Sequence, residues 1–404
     1  DQDINCVESY TLTGGLEQPF EYITVRIPKQ RLSSVAPALV EEHGIIAGKS
    51  RLSLNAIGLS EMTVTKCKLS NNTYTITAYA DSERLRGYSL GAIQAGSRSP
   101  SNWIRYILTS GDFGVAYVEG TTYLVSYQED VTELISFEEG TNVWYILQVC
   151  AMLLGARIFF ADGNAYVVDY RTDNELVNYV QDGIDLYNDP RFENSVVDHV
   201  SLGDEGVDTI ANKISIKYTS VINDESGSTT ESIKNTWSDE VSVDVFDERE
   251  GNTLSIPELT YSETEIPPEP DPETGEIPEG AEPTIEVVDT AEMWAKNFLS
   301  YRSEPQQSIS FTLKEMTEYD GVPTWRRTFD SCSRTDSITD AVDDVVITNS
   351  SDIEDSRTPV LQKLTLSTFE RHYPEGTTTY TWGVMANIDL STSTSQINTS
   401  LNNS

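Results

Sequence analysis

The residue types able to do chemistry in this chain are almost all carboxylates. Its 404 residues hold 65 Asp and Glu against 27 Lys and Arg, with three histidines and four cysteines. A glycoside hydrolase needs only two carboxyl groups on facing elements, but among 65 carboxylates no pair is singled out by its spacing. Glu41-Glu42 and Asp343-Asp344 read as solvated faces. Asp271-Pro272-Glu273-Thr274-Gly275-Glu276 lacks the D-x-[DN]-x-[DN]-G order of a calcium loop and reads as a turn. His43, His199 and His372 lie far apart, and neither His-Glu-x-x-His nor Gly-x-Ser-x-Gly is present.

The nearest approach to a phosphate loop is Gly44-Ile45-Ile46-Ala47-Gly48-Lys49-Ser50. It has one residue too few between its glycines, and the residues after it predict a strand. A phosphate would therefore find no helix N-terminus to sit on. Cys6, Cys67, Cys150 and Cys332 form no Cys-x-x-Cys pair, which argues against a disulfide framework and against zinc. Cys150 falls in an apolar segment and behaves as a small hydrophobe. Asn71, Asn349, Asn398 and Asn402 begin N-x-[ST] triplets, a pattern that recurs by chance. No residue is assigned a catalytic, cofactor-binding or metal-ligating role, and the chain is read as a non-enzyme without a cofactor.

The formal net charge is −38. Such a surface repels phosphate, which argues against ordinary nucleic-acid or anionic-membrane binding. It serves solubility, or it forms a wall that DNA must slide past without sticking. No apolar run reaches the ~20 residues of a membrane helix, and no signal-peptide pattern opens the sequence.

The stretch that organises the rest is Thr141 to Tyr170. Val143, Trp144, Leu147, Cys150, Ala151 and Leu154 repeat at helical spacing, with Thr141 or Asn142 as the cap. Tyr145, Ile146, Val149, Met152 and Leu153 make the other faces apolar too, and Gln148 is the only polar break. A helix apolar all round is covered on all sides. Gly155 supplies a left-handed stop. Strands at Arg157–Phe160 and Ala165–Tyr170 follow, joined by Asp162-Gly163, a hairpin signal.

Before this unit, strands are predicted at 22–27, 50–54, 62–67 and 73–79, as in a small barrel or sandwich. A helix at 102–108, capped by Ser101 or Asn102, stops near Gly111. After the unit, strands are predicted at 212–221 and 240–246, with a polar loop between them. Tyr261 to Pro283, rich in Pro and Glu, reads as a protruding loop or linker. Asp289, with Glu292 three residues on, starts a helix carrying the stripe Ala291, Trp294, Ala295, Phe298 and Leu299. A strand at 308–313 then gives a long-range echo of the 141–170 unit. Further β segments are predicted at 325–329, 344–348, 360–369 and 377–384, before a polar tail.

This order of parts resembles the baseplate-hub and tail-tip hub proteins of tailed bacteriophages and related contractile injection machines. The residues that carry the resemblance are FFADGNAYVVDY, NKISIKYTSV, AEMWAKNFLSYRSEP with SISFTL after it, DVVIT, and LTLSTFERHYPEGTTTYTWGV. It spans most of residues 20 to 385. The chain departs from the pattern at 339–343, where a glycine-rich turn is usual, and in its long insertion at 262–283.

The resemblance implies an α+β fold, predominantly β, in which two barrel-like β domains are interleaved with small helix-plus-hairpin α+β domains. The expected divisions are a first barrel-like domain at 1–98 and a helix-hairpin domain at 99–187. A β segment with the Glu/Pro-rich loop 262–283 and the second helix-strand unit takes 188–320. A second barrel-like segment at 321–388 and a polar tail at 389–404 complete the chain. The implied function is that of a virion structural protein, a homotrimer forming a pseudo-sixfold ring. Its implied partners are the tail tube, the distal-tail or baseplate proteins and the central spike or fibre, with genome DNA passing through unbound. The alternatives are a host-surface adhesin and a carbohydrate-directed enzyme of the tail.

Overall fold

The computed structural model describes residues 7–14, 18–41, 44–54, 59–127, 131–161, 163–168, 201–204, 210–224, 227–266, 284–303, 307–314, 331–333, 363–374 and 377–383. The chain opens with strands Ser9–Gly14 (β1) and Tyr22–Pro28 (β2) and two short helices, Lys29–Val35 (α1) and Pro37–Glu41 (α2). Arg51–Leu54 (β3), Leu59–Ser70 (β4) and Thr73–Tyr79 (β5) follow, and a 3-10 turn at Asp81–Gly87 leads out of them. The middle holds Gly96–Arg98 (β6), Pro100–Thr109 (α3), Tyr123–Ser126 (β7), Ile135–Phe137 (β8), Val143–Leu153 (α4), Arg157–Ala161 (β9) and Asn164–Val168 (β10). Next come Ser201–Asp204 (β11), Lys213–Asp224 (β12), Gly227–Ser238 (β13) and Glu240–Phe246 (α5). Leu254–Ile266 (β14), Thr284–Asp289 (β15) and Thr290–Arg302 (α6) follow. The last strands are Gln307–Lys314 (β16), Ser331–Ser333 (β17), Lys363–Tyr373 (β18) and Thr377–Gly383 (β19).

Strand outweighs helix, and the β structure forms two curled half-barrel sheets with small helix and strand elements around them, the expected fold class. The largest sheet has the order β11-β16-β19-β18-β1-β2-β5-β4-β3, with β17 on β18. Its seam is β1, which pairs antiparallel with β2 on one side and β18 on the other. Tyr10 and Tyr373 face each other across that seam with rings stacked at 5.3 Å. A four-stranded sheet runs β13-β12-β14-β15, with β12 and β14 parallel. The hairpin β9-β10 pairs in parallel with β7, and β6 pairs with β8.

Helix α4 lies at the centre of the main core, every residue buried except the half-buried Gln148. Between the two candidate caps, Asn142 does the work. Its Oδ1 accepts from Tyr145 N at 3.1 Å, while its Nδ2 donates to Arg86 O at 2.8 Å. Gly155 takes φ 66°, with Gly155 N donating to Met152 O and Ala156 N to Ala151 O, a Schellman closure. Glycine is needed at that position because a Cβ there resists the left-handed backbone.

A buried helix end leaves carbonyls that water cannot reach. Helix α6 supplies the donors. Asn297 Nδ2 donates to Met152 O at 2.9 Å and Leu153 O at 3.1 Å, and Tyr301 Oη donates to Gly155 O at 2.7 Å. The start of α6 is as expected, with Asp289 accepting from Glu292 N at 2.8 Å. Ala291, Trp294, Ala295 and Leu299 of its predicted stripe are buried against the same core as Ile214, Ile216 and Tyr218 of β12. The echo between the two helix-strand units is partial: α4 leads into a hairpin, α6 into the single strand β16.

Four sequence expectations need correction. Residues 240–246 are a helix, not a strand, because Asp239 caps it by accepting from Ser242 N at 3.1 Å. The alternating valines mislead, since Val241 and Val245 are exposed while Ser242 is the buried residue. The polar loop before it is mostly strand β13, which pairs with the whole of β12. Within the predicted Pro/Glu loop, Tyr261 to Ile266 belongs to β14 and pairs with β15, and 267–283 lies outside the described residues. Helix α3 begins at Pro100, before both candidate caps, because proline suits the first helical position. Asn102 instead donates to Ser99 Oγ at 2.8 Å. Helices α1 and α2 and strand β1 are additional to the elements predicted from sequence. The predicted strands at 325–329 and 344–348 lie outside the described residues.

Removing a donor to the α4 C-terminus, by Tyr301→Phe or Asn297→Ala, takes hydrogen bonds from a buried helix end and should cost about 1 kcal/mol each. Urea unfolding midpoints of the two variants against the parent chain check this. Asn142→Ala, which removes the cap at the other end, should cost about 1–2 kcal/mol in the same measurement.

Candidate functional site

The residues singled out by type do not converge. His372 sits on β18, its Nδ1 3.5 Å from Thr11 Oγ1 and its Nε2 3.7 Å from Glu370, while His43 and His199 lie outside the described residues. So do Glu42, Asp343-Asp344, the 271–276 turn, Cys6, Asn349, Asn398 and Asn402. Glu41 ends α2, and Cys332 is in β17. Gly44 to Ser50 runs into strand β3, as expected, with Ile46 N donating to Ser50 Oγ at 2.9 Å. Asn71 and Asn72 both take left-handed conformations, at φ 49° and 60°, forming the exposed tip of the β4-β5 hairpin. Burial pushes the Cys150 thiol well up, so it is an inert core group. Among the described residues, no group of three or more His, Cys, Asp or Glu is placed to hold a metal.

The described cavity lies where the first sheet meets the helix-hairpin unit. Glu21, Glu61, Asp81, Ser82, Tyr117 and Asn164 line its polar part, around a volume of about 280 Å³. That is just under the ~300–1,000 Å³ of ordinary small-molecule sites. Its wall is held by Phe20, next to Glu21, whose ring stacks on Phe160 at 5.3 Å and meets Trp144 edge-on at 4.7 Å. Phe160 N donates to Pro19 O at 2.9 Å, which ties hairpin to sheet.

Asp81 is committed at this junction. It accepts from Arg51, and from Thr63 Oγ1 at 2.6 Å, and lies 3.8 Å from Arg84. Burial opposes its ionisation, but the Thr63 and Arg51 hydrogen bonds and the two arginine charges prevail and hold its carboxyl below the usual range. An acid-base pair needs two carboxyls pushed apart in acidity across a substrate. Glu83 on the same 3-10 turn is raised by burial, yet it does not line the cavity. The arrangement is that of a charged latch between two parts of the fold. Sequence reasoning missed it because Arg51, Thr63 and Asp81 share no spacing pattern.

Another partly buried carboxyl carries no catalytic geometry either. Tyr145 Oη, from α4, donates to Glu258 Oε2 of β14 at 2.7 Å. Burial raises the Glu258 carboxyl, with the Glu138 charge adding to it and the Tyr145 hydrogen bond working against it. Burial and the neighbouring carboxylate raise the Tyr145 phenol in turn.

No protein-family model and no curated protein matches the chain. The solved tail protein from Neisseria meningitidis MC58 does match in structure, at TM-score 0.51 and 10% identity, over 94% of this chain and 92% of that one. The two share a fold. The 43 kDa tail protein of prophage MuSo2 from Shewanella oneidensis aligns at 0.49 with 11% identity, over 93% of each chain. Prophage tail protein gp18 from Listeria monocytogenes aligns at 0.45 with 12% identity, over 100% of this chain and 94% of that one. These two lower scores are set aside.

The Glu258 environment makes a signed prediction. Its folded value lies above the ordinary 4.5, so the folded state holds the proton longer than the unfolded chain. Its contribution to stability is therefore fully present below 4.5 and is lost as pH rises through the folded value. Glu258→Gln keeps an acceptor for Tyr145 and removes the titration. The variant should gain stability relative to the parent as pH rises from 4.5 towards neutral, read as the difference in urea midpoints across that window.

Proposed function

We propose that this chain is a structural protein of a phage tail, the hub of a baseplate or tail tip at its distal end. In this reading three copies form a pseudo-sixfold ring that joins the tail tube to a central spike or fibre and lets DNA pass. The observation that carries it is the shared fold with the Neisseria tail protein along 94% of this chain. The β1 seam supports it, because it ties strands β1 and β18, far apart in sequence, into one sheet. We take 1–98 and 321–388 as the barrel-like parts that would alternate around the ring, with 99–187 and 188–320 between them. The chain then works by shape and charge and catalyses nothing.

The charge fits that role physically. Three chains would carry a formal charge of about −114. Where such a surface faces a channel, DNA finds no cations to exchange for its counterions and slides without being held. Among the described residues, no helix is long and apolar enough to cross a membrane.

Light scattering behind a sizing column tests the ring. From a 44.9 kDa chain the expected mass is about 135 kDa. A chain that stays monomeric or stops at a dimer at high concentration overturns the trimer. Duplex DNA at low salt should show no retention by the purified protein. Retention that weakens as salt is added would place a cationic track on the channel wall and overturn the repulsive one.

A further inference from the structure

We propose that the free edge of β15 is a docking site for a strand of a partner protein that carries apolar residues alternating with Lys or Arg. β15 ends the order β13-β12-β14-β15, so among the described residues its outward backbone groups have no strand to pair with. Proteins blunt such edges with lysine, proline, a bulge or very short length, because a bare edge is a template for pairing. The six residues Thr284-Ile285-Glu286-Val287-Val288-Asp289 hold no lysine and no proline, and their register with β14 is unbroken. The opposite edge of the same sheet differs. β13 carries Lys234 midway and is polar along most of its length.

Two side chains of this edge, Ile285 and Val287, are apolar and exposed, with the Glu263 carboxylate of β14 on the same face. Ile214, Ile216 and Tyr218 of β12 point to one face and are buried with Trp294 and Leu299 of α6. By the two-residue period of a strand, Ile222 lies on that same face, beyond the helix. The register places Ile222 opposite Glu263, Glu263 opposite Val287, and Ile285 one step further out. There Ile222 is 37% exposed, Val287 52% and Ile285 62%. The core face of the sheet thus outruns its own helix and ends at the edge strand in a short apolar row, Val287 and Ile285, which Glu263 separates from Ile222.

Charge selects the occupant. Neither β14 nor β15 contains a Lys or Arg, while Glu263 and Glu286 stand on opposite faces at this end of the sheet. A second copy of the same acidic edge meets like charge directly opposite, which is unfavourable in cross-strand pairs. A strand with Lys or Arg beside Glu286 and apolar residues beside Ile285 and Val287 satisfies backbone, apolar row and charge together. This is β-augmentation, with main-chain bonds for affinity and alternate side chains for selection. It is independent of the tail reading, since it rests on the edge and its side chains alone.

The test uses the full chain and a fluorescent peptide of alternating Val and Lys, with a Val-Glu peptide as control. The Val-Lys peptide should bind saturably in fluorescence anisotropy and slow amide exchange at residues 284–289. Ile285→Lys with Val287→Lys should weaken it about tenfold or more. Both sites are more than half exposed, so the double variant should keep the parent urea midpoint. If it unfolds more easily, the parent's exchange at 284–289 decides instead. No saturable binding, equal binding of the Val-Glu peptide, or protection appearing elsewhere than 284–289 overturns the proposal. Binding unchanged in a stably folded double variant also overturns it, by showing generic attraction to the acidic surface.

Discussion

A helix apolar on every face solves one problem and creates another. Its side chains need no water, but its terminal peptide groups then have none, so each buried N–H at one end must find an acceptor and each buried carbonyl at the other a donor. In α4 that requirement is met by Asn142 at one end and by Asn297 and Tyr301 at the other. Helix α6 is thereby fixed in place over the end of α4, and the sheet that α6 packs against follows it. Asn142 ties the other end to Arg86 and Tyr88, and so to the turn that carries Asp81. Two parts of the sequence about 150 positions apart share one interior because a helix could not be left with bare ends.

Much of this was legible. The period of the apolar residues gave α4, Gly155 its stop, Asp162-Gly163 the hairpin, and Asp289 with Glu292 the start of α6. These signals are local, and local chemistry decides them. The strands at 22–27, 73–79 and 212–221 were equally plain, because alternation with β-branched residues is a property of the segment itself. The errors have one source. At 240–246 the alternation of valine was real, but a single cap at Asp239 outweighed it, and burial went to Ser242, which donates to Ser303 O. Gly227–Ser238 looked like a loop because it is polar along most of its length, with only Ile233 and Trp237 turned to the core, and its pairing with β12 makes it a strand.

The polar junctions were not legible at all. Arg51, Thr63, Asp81 and Arg84 meet through the sheet register, and Tyr145 reaches Glu258 across 113 positions. Among 65 carboxylates, only tertiary placement shows which are committed to arginine, which are buried beside a phenol, and which face water. The absence of a motif carried the reading further than any motif did, since it turned attention from reaction to architecture. Asn212 makes the same point at small scale: its side chain bonds Asp247 O, Ser242 Oγ and Arg249 N, and nothing around it in sequence announces that.

The β1 seam also governs how the molecule comes into being. Thr11 and His372 are neighbours across it, although 361 positions separate them. During synthesis, β2, β4 and β5 can pair soon after they emerge, but the far side of β1 waits for β18, some 361 positions later. Pairings of such long range are slow, because the loop-closure entropy is spent before the contacts are gained. Until β18 arrives, β1 is itself an open edge, exposed to strands of neighbouring nascent chains. The chain thus carries an open strand edge from the time β1 emerges until β18 closes it.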